Sequence, residues 1–333
     1  MSLAVDDITT LTETIASGGV PLQQVTASML SESGQYIRRE RSFEGVSYET
    51  TPVEADLDLA NGVASAMSAV YKFDKAKESA VKSIKKAAAE EAKSVGVSTA
   101  IGDAGMESNN FTSVMHNLID QMLLSLKMEA TIAQAEADIR AGKKPVITVA
   151  NTMGSFIKNH ADSEGLKDGD EVGLDFNALL RRYLEKTREV RVKDQAAVEG
   201  DGKAKTKRLT NNDLGDEGVE LYNQALNIID SMDLSQIPVS PIDYLRDSLK
   251  QRGYATAEIT GRKLTIDYTQ PEPVLRSRPE SEVNVNGRRQ AIAKFNNGEV
   301  PVIILNQAGS TGISLHASEK FKDQSQRAMI IAQ

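Results

Sequence analysis

Four short runs of β-branched and other apolar residues constrain the fold of this chain more than any other feature of its sequence. They lie in the C-terminal half of a chain of 333 residues, at 146–149, 255–259, 302–305 and 328–331. Each run has the length and composition of a buried strand, and stretches with helical spacing lie between them. Strands that alternate with helices predict a parallel sheet with helices on both faces, so the predicted fold class of this half is α/β.

The strand predicted at 302–305 runs into the small-residue loop Gly309-Ser310-Thr311-Gly312 and then into a predicted helix. In a parallel sheet such a loop lies at the carboxyl edge, where backbone N–H groups and a helix N-terminus can bind an anion. The residues leave two interpretations open. One is a phosphate contact, and the other is an ordinary turn that needs glycine for packing.

The sequence lacks the motifs of the common catalytic centres. The loop at 309–312 does not have the G-x-S-x-G spacing of a nucleophile elbow, and no G-x-x-x-x-G-K-[ST] phosphate-binding loop occurs. Asp216-Glu217 imitates a Walker B pair, but no buried strand precedes it, so helix-start carboxylates are the favoured interpretation. With no cysteine and three histidines, a zinc centre is not expected. We therefore assign no catalytic residue and no metal ligand.

The first fifty residues are predicted to form two short helices, at 9–15 and 22–30, and then a hairpin of strands at 36–43 and 46–50.

Residues 56–140 are predicted to form a long helical hairpin. Apolar residues recur there every three to four positions on both sides of a glycine-rich break at 95–106. The part between Lys75 and Lys93 is rich in alanine and charge, and it should be the more exposed portion. A solvated helix face is the favoured interpretation of this part, and a DNA-binding arm is the alternative.

Further helices are predicted at 176–190, 221–229, 241–251 and 288–295. The polar stretch 193–213 is predicted to be a loop. A solvated loop is the favoured interpretation of its basic residues, and phosphate contact is the alternative. These residues are Lys203, Lys205, Lys207 and Arg208.

The formal net charge of −8 argues against a protein that binds nucleic acid by being basic overall. Acidic residues outnumber basic ones in the first 140 residues, whereas basic residues are slightly in excess from residue 254 onwards. Any polyanion site is therefore expected late in the chain. No run of eighteen apolar residues and no secretory signal occur, so we expect a cytoplasmic protein without a membrane partner.

Residues 306–317 resemble motif V of superfamily-two helicases, and the spelling Gln-Ala-Gly-Ser-Thr-Gly-Ile-Ser-Leu-His-Ala is similar to the strawberry notch helicase family and its phage and bacterial relatives. Upstream segments agree in order. Residues 145–152 resemble motif IV, 237–243 with 258–262 resemble the next strand and loop, and 287–298 resemble the helix before motif V. Residues 34–46 are similar to the segment after the first lobe, so the likeness covers about 20–50 and 143–333.

The resemblance implies the C-terminal RecA-like lobe of an ATP-dependent nucleic-acid helicase or translocase. Residues 1–53 are then an inter-lobe segment, 54–142 an inserted helical hairpin, and 143–333 the lobe, which ends before motif VI. The opening Met-Ser-Leu resembles a vector remnant and the chain ends in the apolar run 328–332, so we expect a fragment of a longer protein.

The parts that such motors need for phosphoryl transfer are a Walker A lysine, an acidic pair and an arginine finger, and the sequence contains none of them. ATP and Mg²⁺ are therefore expected cofactors of the full-length protein, and the chain alone is expected to be inactive and to hold neither tightly. The expected partners are nucleic acid, with DNA favoured, and the N-terminal motor lobe of the same protein.

Candidate nucleotide- or nucleic-acid-binding residues follow from the resemblance on three loops: Asn151 and Thr152; Thr260, Gly261 and Arg262; and Gly309, Ser310, Thr311 and Gly312. Hydroxyls and backbone N–H groups would make sequence-independent phosphate contacts, and Arg262 would add a charge.

Two alternatives remain open from the sequence. One is a non-catalytic nucleic-acid- or protein-binding module derived from a helicase fold. The other is a helical interaction domain attached to a generic α/β nucleotide-binding fold.

Overall fold

Helices and strands fill most of the chain that the computed structural model describes, which comprises residues 8–35, 45–54, 56–96, 101–108, 111–193, 205–306 and 313–332. In chain order the helices are α1 (Ile8–Ser17), α2 (Gly19–Glu32), α3 (Leu57–Ser94), α4 (Phe111–Leu126), α5 (Met128–Arg140), α6 (Gly154–Glu164), α7 (Phe176–Thr187), α8 (Asn211–Ser231), α9 (Pro241–Gln251), α10 (Glu280–Val283) and α11 (Val285–Asn296). The strands are β1 (Gly102–Ser108), β2 (Lys144–Val149), β3 (Glu189–Lys193), β4 (Lys205–Arg208), β5 (Thr256–Ile259), β6 (Leu264–Asp267), β7 (Val274–Ser277), β8 (Val302–Asn306) and β9 (Arg327–Ile331). The chain divides into two units, Met1–Pro52 and Val53–Gln333.

The first unit contains the two short helices that the sequence predicts, α1 and α2. Residues 46–50 form no strand and are exposed, so the predicted hairpin is wrong in its second strand. A strand needs a partner and a buried face to be stable, and neither alternation nor β-propensity supplies them. The first predicted strand, at 36–43, lies outside the described residues.

A four-stranded parallel sheet forms the centre of the second unit, in the order β5-β8-β2-β9. Its strands are the four runs predicted from the sequence, and the α/β fold class is confirmed. The central pair aligns Val146 with Ile303 and Thr148 with Leu305. Side chains on both faces of β8 are buried, because helices cover the sheet on both sides.

Two apolar clusters hold helices against this sheet. On one face, α5 and α9 pack on Ile147, Val302 and Ile304. On the other face, Phe295 of α11 packs on Ile303 and Leu305. This arrangement agrees with a RecA-like lobe, as predicted.

The region predicted as a helical hairpin differs from that prediction. Helix α3 is present, but the glycine-rich break contains β1, and the second helical stretch is divided at Lys127 into α4 and α5. Strand β1 pairs antiparallel with β3, which pairs with β4, and α3 packs against α8 and β1. Strand β3 also replaces the end of the helix predicted at 176–190. Hydrophobic periodicity predicts a helix or a strand, but it does not show which other element packs against it. We call β1, β3 and β4 with α3, α7 and α8 the antiparallel subdomain.

The helix predicted after the 309–312 loop is absent from the described residues 313–326, which are irregular. Side chains hold this segment instead. Asn296 Nδ2 donates to the Ser314 carbonyl at 3.0 Å, and Arg327 Nε donates to the Leu315 carbonyl at 3.0 Å. At the amino end of β2, Lys144 Nζ lies 2.8 Å from Asp323 Oδ2. No helix in the described part of the chain has the length and the apolar character needed to cross a membrane.

Candidate functional site

The carboxyl edge of the parallel sheet brings two of the three predicted binding loops together. Asn151 and Thr152 follow β2, and residues 260–262 follow β5, which are both neighbours of β8 in the sheet. Asn306, the last residue of β8, ends at the same edge, because all three strands run in one direction. The 309–312 loop continues from there but lies outside the described residues. Ligands of open α/β sheets bind at this kind of edge.

The loop after β2 is held in a fixed conformation. Asn151 Oδ1 accepts hydrogen bonds from the backbone N–H groups of Thr152, at 2.7 Å, and Met153, at 3.3 Å. Met153 is buried and has a φ of 52°, in the left-handed region that a side chain with a Cβ seldom adopts. Backbone strain of this kind persists where the surroundings over-determine it, and it often accompanies a functional loop.

Gly154 packs this loop directly against the loop after β5. A Cβ at position 154 would lie 2.7 Å from Arg262 Cβ, closer than two carbon atoms can approach. Asn151 and Thr152 are half-buried, and Gly261 is exposed. The two loops therefore form one continuous surface at the sheet edge.

Arg262 occupies a different place from the one predicted. Its side chain is 0% exposed, and its guanidinium binds Asp243 through contacts of 2.6 and 2.8 Å and Glu258 through two contacts of 2.7 Å. The charge that we expected on the surface is neutralised inside the protein. Arg262 is therefore a residue that positions its loop. The binding role of the loops stays a prediction.

Thr260 is also turned inward. It is 1% exposed, and its hydroxyl donates to Glu258 and accepts from Arg278 Nη1 at 3.1 Å. Of the three residues predicted in this loop, Gly261 is the exposed one. A ligand at this loop would therefore meet backbone groups of Gly261 in preference to the Thr260 hydroxyl.

The buried ion network extends beyond this loop and connects four elements. Arg278, after β7, donates to Glu258 Oε1 at 2.9 Å, and Arg246 of α9 lies 3.2 Å from Asp247 Oδ1. Asp243 Oδ2 also accepts from the Ile266 backbone N–H of β6 at 2.8 Å. Three arginines face three buried carboxylates, so each buried charge has a partner of opposite sign, as a buried cluster of charges must have.

Burial and partner charges set the ionisation of these groups. Burial tends to raise the pKa of Glu258, but Arg262 and then Arg278 outweigh burial and lower the pKa to about 2. Burial tends to lower the pKa of Arg262, but Asp243 and Glu258 outweigh it and raise the pKa. Burial raises the pKa of Asp247 above its usual range. Glu258 and Arg262 are both charged at neutral pH.

Arg288 is a site residue that the sequence analysis did not select. A Cβ on Gly261 would lie 4.0 Å from Arg288 Nη2, so this guanidinium flanks the exposed loop. Arg288 Nε is buried without a hydrogen-bond partner, and among the described residues no carboxylate pairs with the side chain. The edge therefore carries a cation that no carboxylate of the described residues neutralises. The sequence contains a pattern that could have identified Arg288. A helix that precedes a parallel strand begins at the carboxyl edge of the sheet, and Arg288 stands near the start of such a helix.

Close backbone packing places Arg288. Asn284 Oδ1 accepts from the Gly287 N–H at 2.8 Å and so caps α11. A Cβ on Gly287 would lie 2.0 Å from the Ser281 carbonyl oxygen, so this position tolerates only glycine and lets α10 approach α11.

Other charged motifs have structural partners. Lys207 binds Asp103 at 2.8 Å, and Arg208 pairs with Glu185, so part of the basic stretch around β4 forms ion pairs of the antiparallel subdomain. Asp216 and Glu217 are exposed and follow a break in α8 at Gly215, as expected of carboxylates at a helix start. Within the described residues, no group of three metal-ligating side chains converges.

The segment that contains most residues of this edge is similar to a known protein family. No curated protein and no solved structure matches the chain. A family model, the C-terminal domain on Strawberry notch homologues, matches residues 240–333, just over a quarter of the chain. This range holds β5, β8, β9 and Arg288, whereas β2, which pairs with β8 and β9, lies upstream. Residues 240–333 are therefore similar to the helicase-related C-terminal domain of Strawberry notch homologues, and the α/β structure of this segment is consistent with a RecA-like lobe.

Proposed function

We propose that the carboxyl edge of the sheet contributes nucleic-acid-backbone contacts and part of the inter-lobe ATP site of an ATP-dependent helicase or translocase. The observation that carries the proposal is the guanidinium of Arg288, which lies beside the exposed Gly261 without a carboxylate partner among the described residues. Arginine binds phosphate oxygens through charge-assisted hydrogen bonds. Contacts of this kind depend on the backbone and not on base sequence.

The rigidity of the edge supports the same proposal. A motor lobe must hold its phosphate contacts in a defined geometry while the lobes move, and the balanced ion network fixes the 260–262 loop against α9, β6 and β7. In this proposal Arg262 positions Gly261 and Arg288 meets the ligand. Asn151 and Thr152 flank them, and residues 309–312 stay predicted phosphate contacts on the strength of the resemblance.

The edge fits a phosphate group better than it fits Mg²⁺. Asp243, Glu258 and Asp247, the buried carboxylates of this edge network, are bound to arginines and are not available as metal ligands. We therefore propose that the ligands of Mg²⁺ and the phosphate-cradling loop come from the N-terminal motor lobe of the full-length protein. ATP would supply the free energy for movement along nucleic acid, with DNA as the proposed substrate.

Replacement of Arg288 tests the proposal. Arg288→Ala should raise the Kd for a labelled DNA about tenfold, because one charge-assisted contact is worth about 1.4 kcal/mol. In the full-length protein the same change should lower DNA-stimulated ATP hydrolysis. Arg289→Ala is the matched control, since Arg289 is the exposed neighbour on the same helix and removes the same charge. Equal affinities of a folded Arg288→Ala variant and the wild type would refute the proposal.

A further inference from the structure

A second basic surface lies on the antiparallel subdomain and shares no residue with the sheet edge. Lys82, Lys85 and Lys86 occupy neighbouring positions on α3 and are exposed. Spacings of three and four residues place such side chains on one face of a helix. Arg191 is exposed on β3, and Lys193 follows two residues later on the same side of the strand. We call these five residues the basic face.

One carboxylate connects the two halves of the basic face. Glu107 of β1 aligns with Arg191 across the strand pair, and its Oε1 lies 2.8 Å from Lys193 Nζ. The hydrogen bond and charge of Lys193 lower the pKa of Glu107, and the charges of Lys85 and Arg191 add to this effect. Three cations from α3 and β3 thus surround one anion.

The fold does not account for the lysines of this face. Lys75 and Lys77, on the same helix, pair with Glu78 at 2.9 Å and Asp74 at 2.5 Å. Within the described part of the chain, none of Lys82, Lys85 and Lys86 forms an ion pair. Like charges at these spacings destabilise a helix. Three lysines without an ion pair on one helix face, in a chain with a net charge of −8, suit an anionic partner.

We propose that the basic face binds the phosphodiester backbone of nucleic acid and is an accessory contact outside the sheet edge. The inference rests on the proposed function for the presence of nucleic acid, and it adds a second place of contact. Charge complementarity selects the partner, because successive cations along a helix and a strand fit a regular row of phosphates. The overall negative charge does not prevent this, since charges more than a Debye length of about 8 Å away are screened at physiological salt.

Anisotropy titrations of a short labelled DNA duplex with the whole chain test this inference. The triple variant Lys82→Gln, Lys85→Gln, Lys86→Gln should raise the Kd at least tenfold near 0.1 M salt. It should also lower the slope of log Kd against log salt by about 2–3, since each lost phosphate contact contributes about 0.9. The matched control, Lys186→Gln, Lys250→Gln, Lys294→Gln, removes the same charge from exposed positions on three other helices. It should leave the slope within about one contact of the wild type.

A variant that is expected to tighten DNA binding excludes misfolding as the cause of the changes in affinity. Glu107→Gln removes the central anion of the basic face, so it should tighten DNA binding about two- to fivefold, an increase that a folding defect cannot produce. Equal slopes for the triple variant and its control would overturn the inference, and so would an unchanged affinity of Glu107→Gln. If Arg288→Ala weakens binding but the triple variant does not, the sheet-edge proposal stands and the accessory contact fails. If the triple variant weakens binding but Arg288→Ala does not, the accessory contact stands and the sheet-edge proposal fails.

Discussion

At the scale of single residues, the sheet edge depends on a few buried charges. Glu258 and Arg262 are buried, and each has several charge-assisted hydrogen bonds. Removing one partner of such a cluster leaves the others buried without compensation, which is strongly destabilising. These residues therefore matter to the site through the position of their loop and not through contact with a ligand.

The lowered pKa of Glu258 predicts a pH dependence of stability. Its pKa is about 2 in the folded state, and an unfolded glutamate titrates near about 4.3. A carboxyl whose pKa is lower in the folded state stabilises the fold above the unfolded pKa, and this stability is lost as the pH falls from about 5 towards 2. The contribution is on the order of 3 kcal/mol. Asp247 acts in the opposite direction, because burial raises its pKa.

Urea denaturation at pH 6 and pH 3 measures this effect, because most of the loss falls below about pH 4. Glu258→Gln should lower the free energy of unfolding at pH 6 and should reduce the loss of stability between the two pH values. Glu299→Gln, at an exposed position, should follow the wild type within about 0.5 kcal/mol. An unaltered pH dependence in Glu258→Gln would mean that the network does not control the acid sensitivity.

At the scale of elements, the loops after β2 and β5 are one unit because glycine lets them touch. The contact between Gly154 and Arg262 fixes the start of α6 against the ion network. Met153, the residue before Gly154, has a φ of 52° at the start of this helix. Helix α6 therefore begins at Gly154, the residue whose missing side chain lets the two loops pack together.

Gly154→Ala should destabilise the protein by about 1–3 kcal/mol, because the new methyl group would lie 2.7 Å from Arg262 Cβ and one loop must move. Gly261→Ala is the steric control, since its nearest heavy atom would be 4.0 Å away and its φ is not positive. Its stability should stay within about 0.5 kcal/mol of the wild type. Thermal or urea unfolding distinguishes them, and equal losses would show that the loops adjust freely.

At the scale of the whole molecule, a parallel-sheet lobe and an antiparallel subdomain are joined within one unit. Strand β2 lies upstream of the matched segment 240–333 but completes its sheet between β8 and β9. The subdomain uses elements from both sides of β2 in sequence, since α3 and β1 precede it and β3, β4 and α8 follow it. The chain thus passes from one part to the other more than once, so neither part is a simple insertion.

The 333-residue chain alone should not turn over ATP, with or without nucleic acid, because the resemblance assigns the phosphate-cradling loop to the other lobe. A steady-state phosphate-release assay checks this. Nucleotide binding should be weak, and a fluorescent ATP analogue would report it. Turnover like that of an intact motor would show that the chain holds a catalytic centre of its own.

The sequence by itself determined the four strands of the parallel sheet, the long helix α3 and the order of the site-bearing loops. These follow from local information, since a short apolar run or a helical period is written in consecutive residues. The resemblance of 306–317 to motif V predicted a likeness to the strawberry notch helicases, and the match over 240–333 agrees with this prediction.

Tertiary structure alone decided which residues of the edge face outward. In the sequence Arg262 follows a strand and Arg288 stands near a helix start, and neither pattern shows which side chain is buried. In the structure Arg262 binds Asp243 and Glu258, whereas Arg288 meets no carboxylate among the described residues. It also decided that the break at 95–106 becomes β1 and that 189–193 becomes a strand, because both depend on a partner far along the chain. Pairing and burial are properties of contacts between distant residues, and no local pattern contains them.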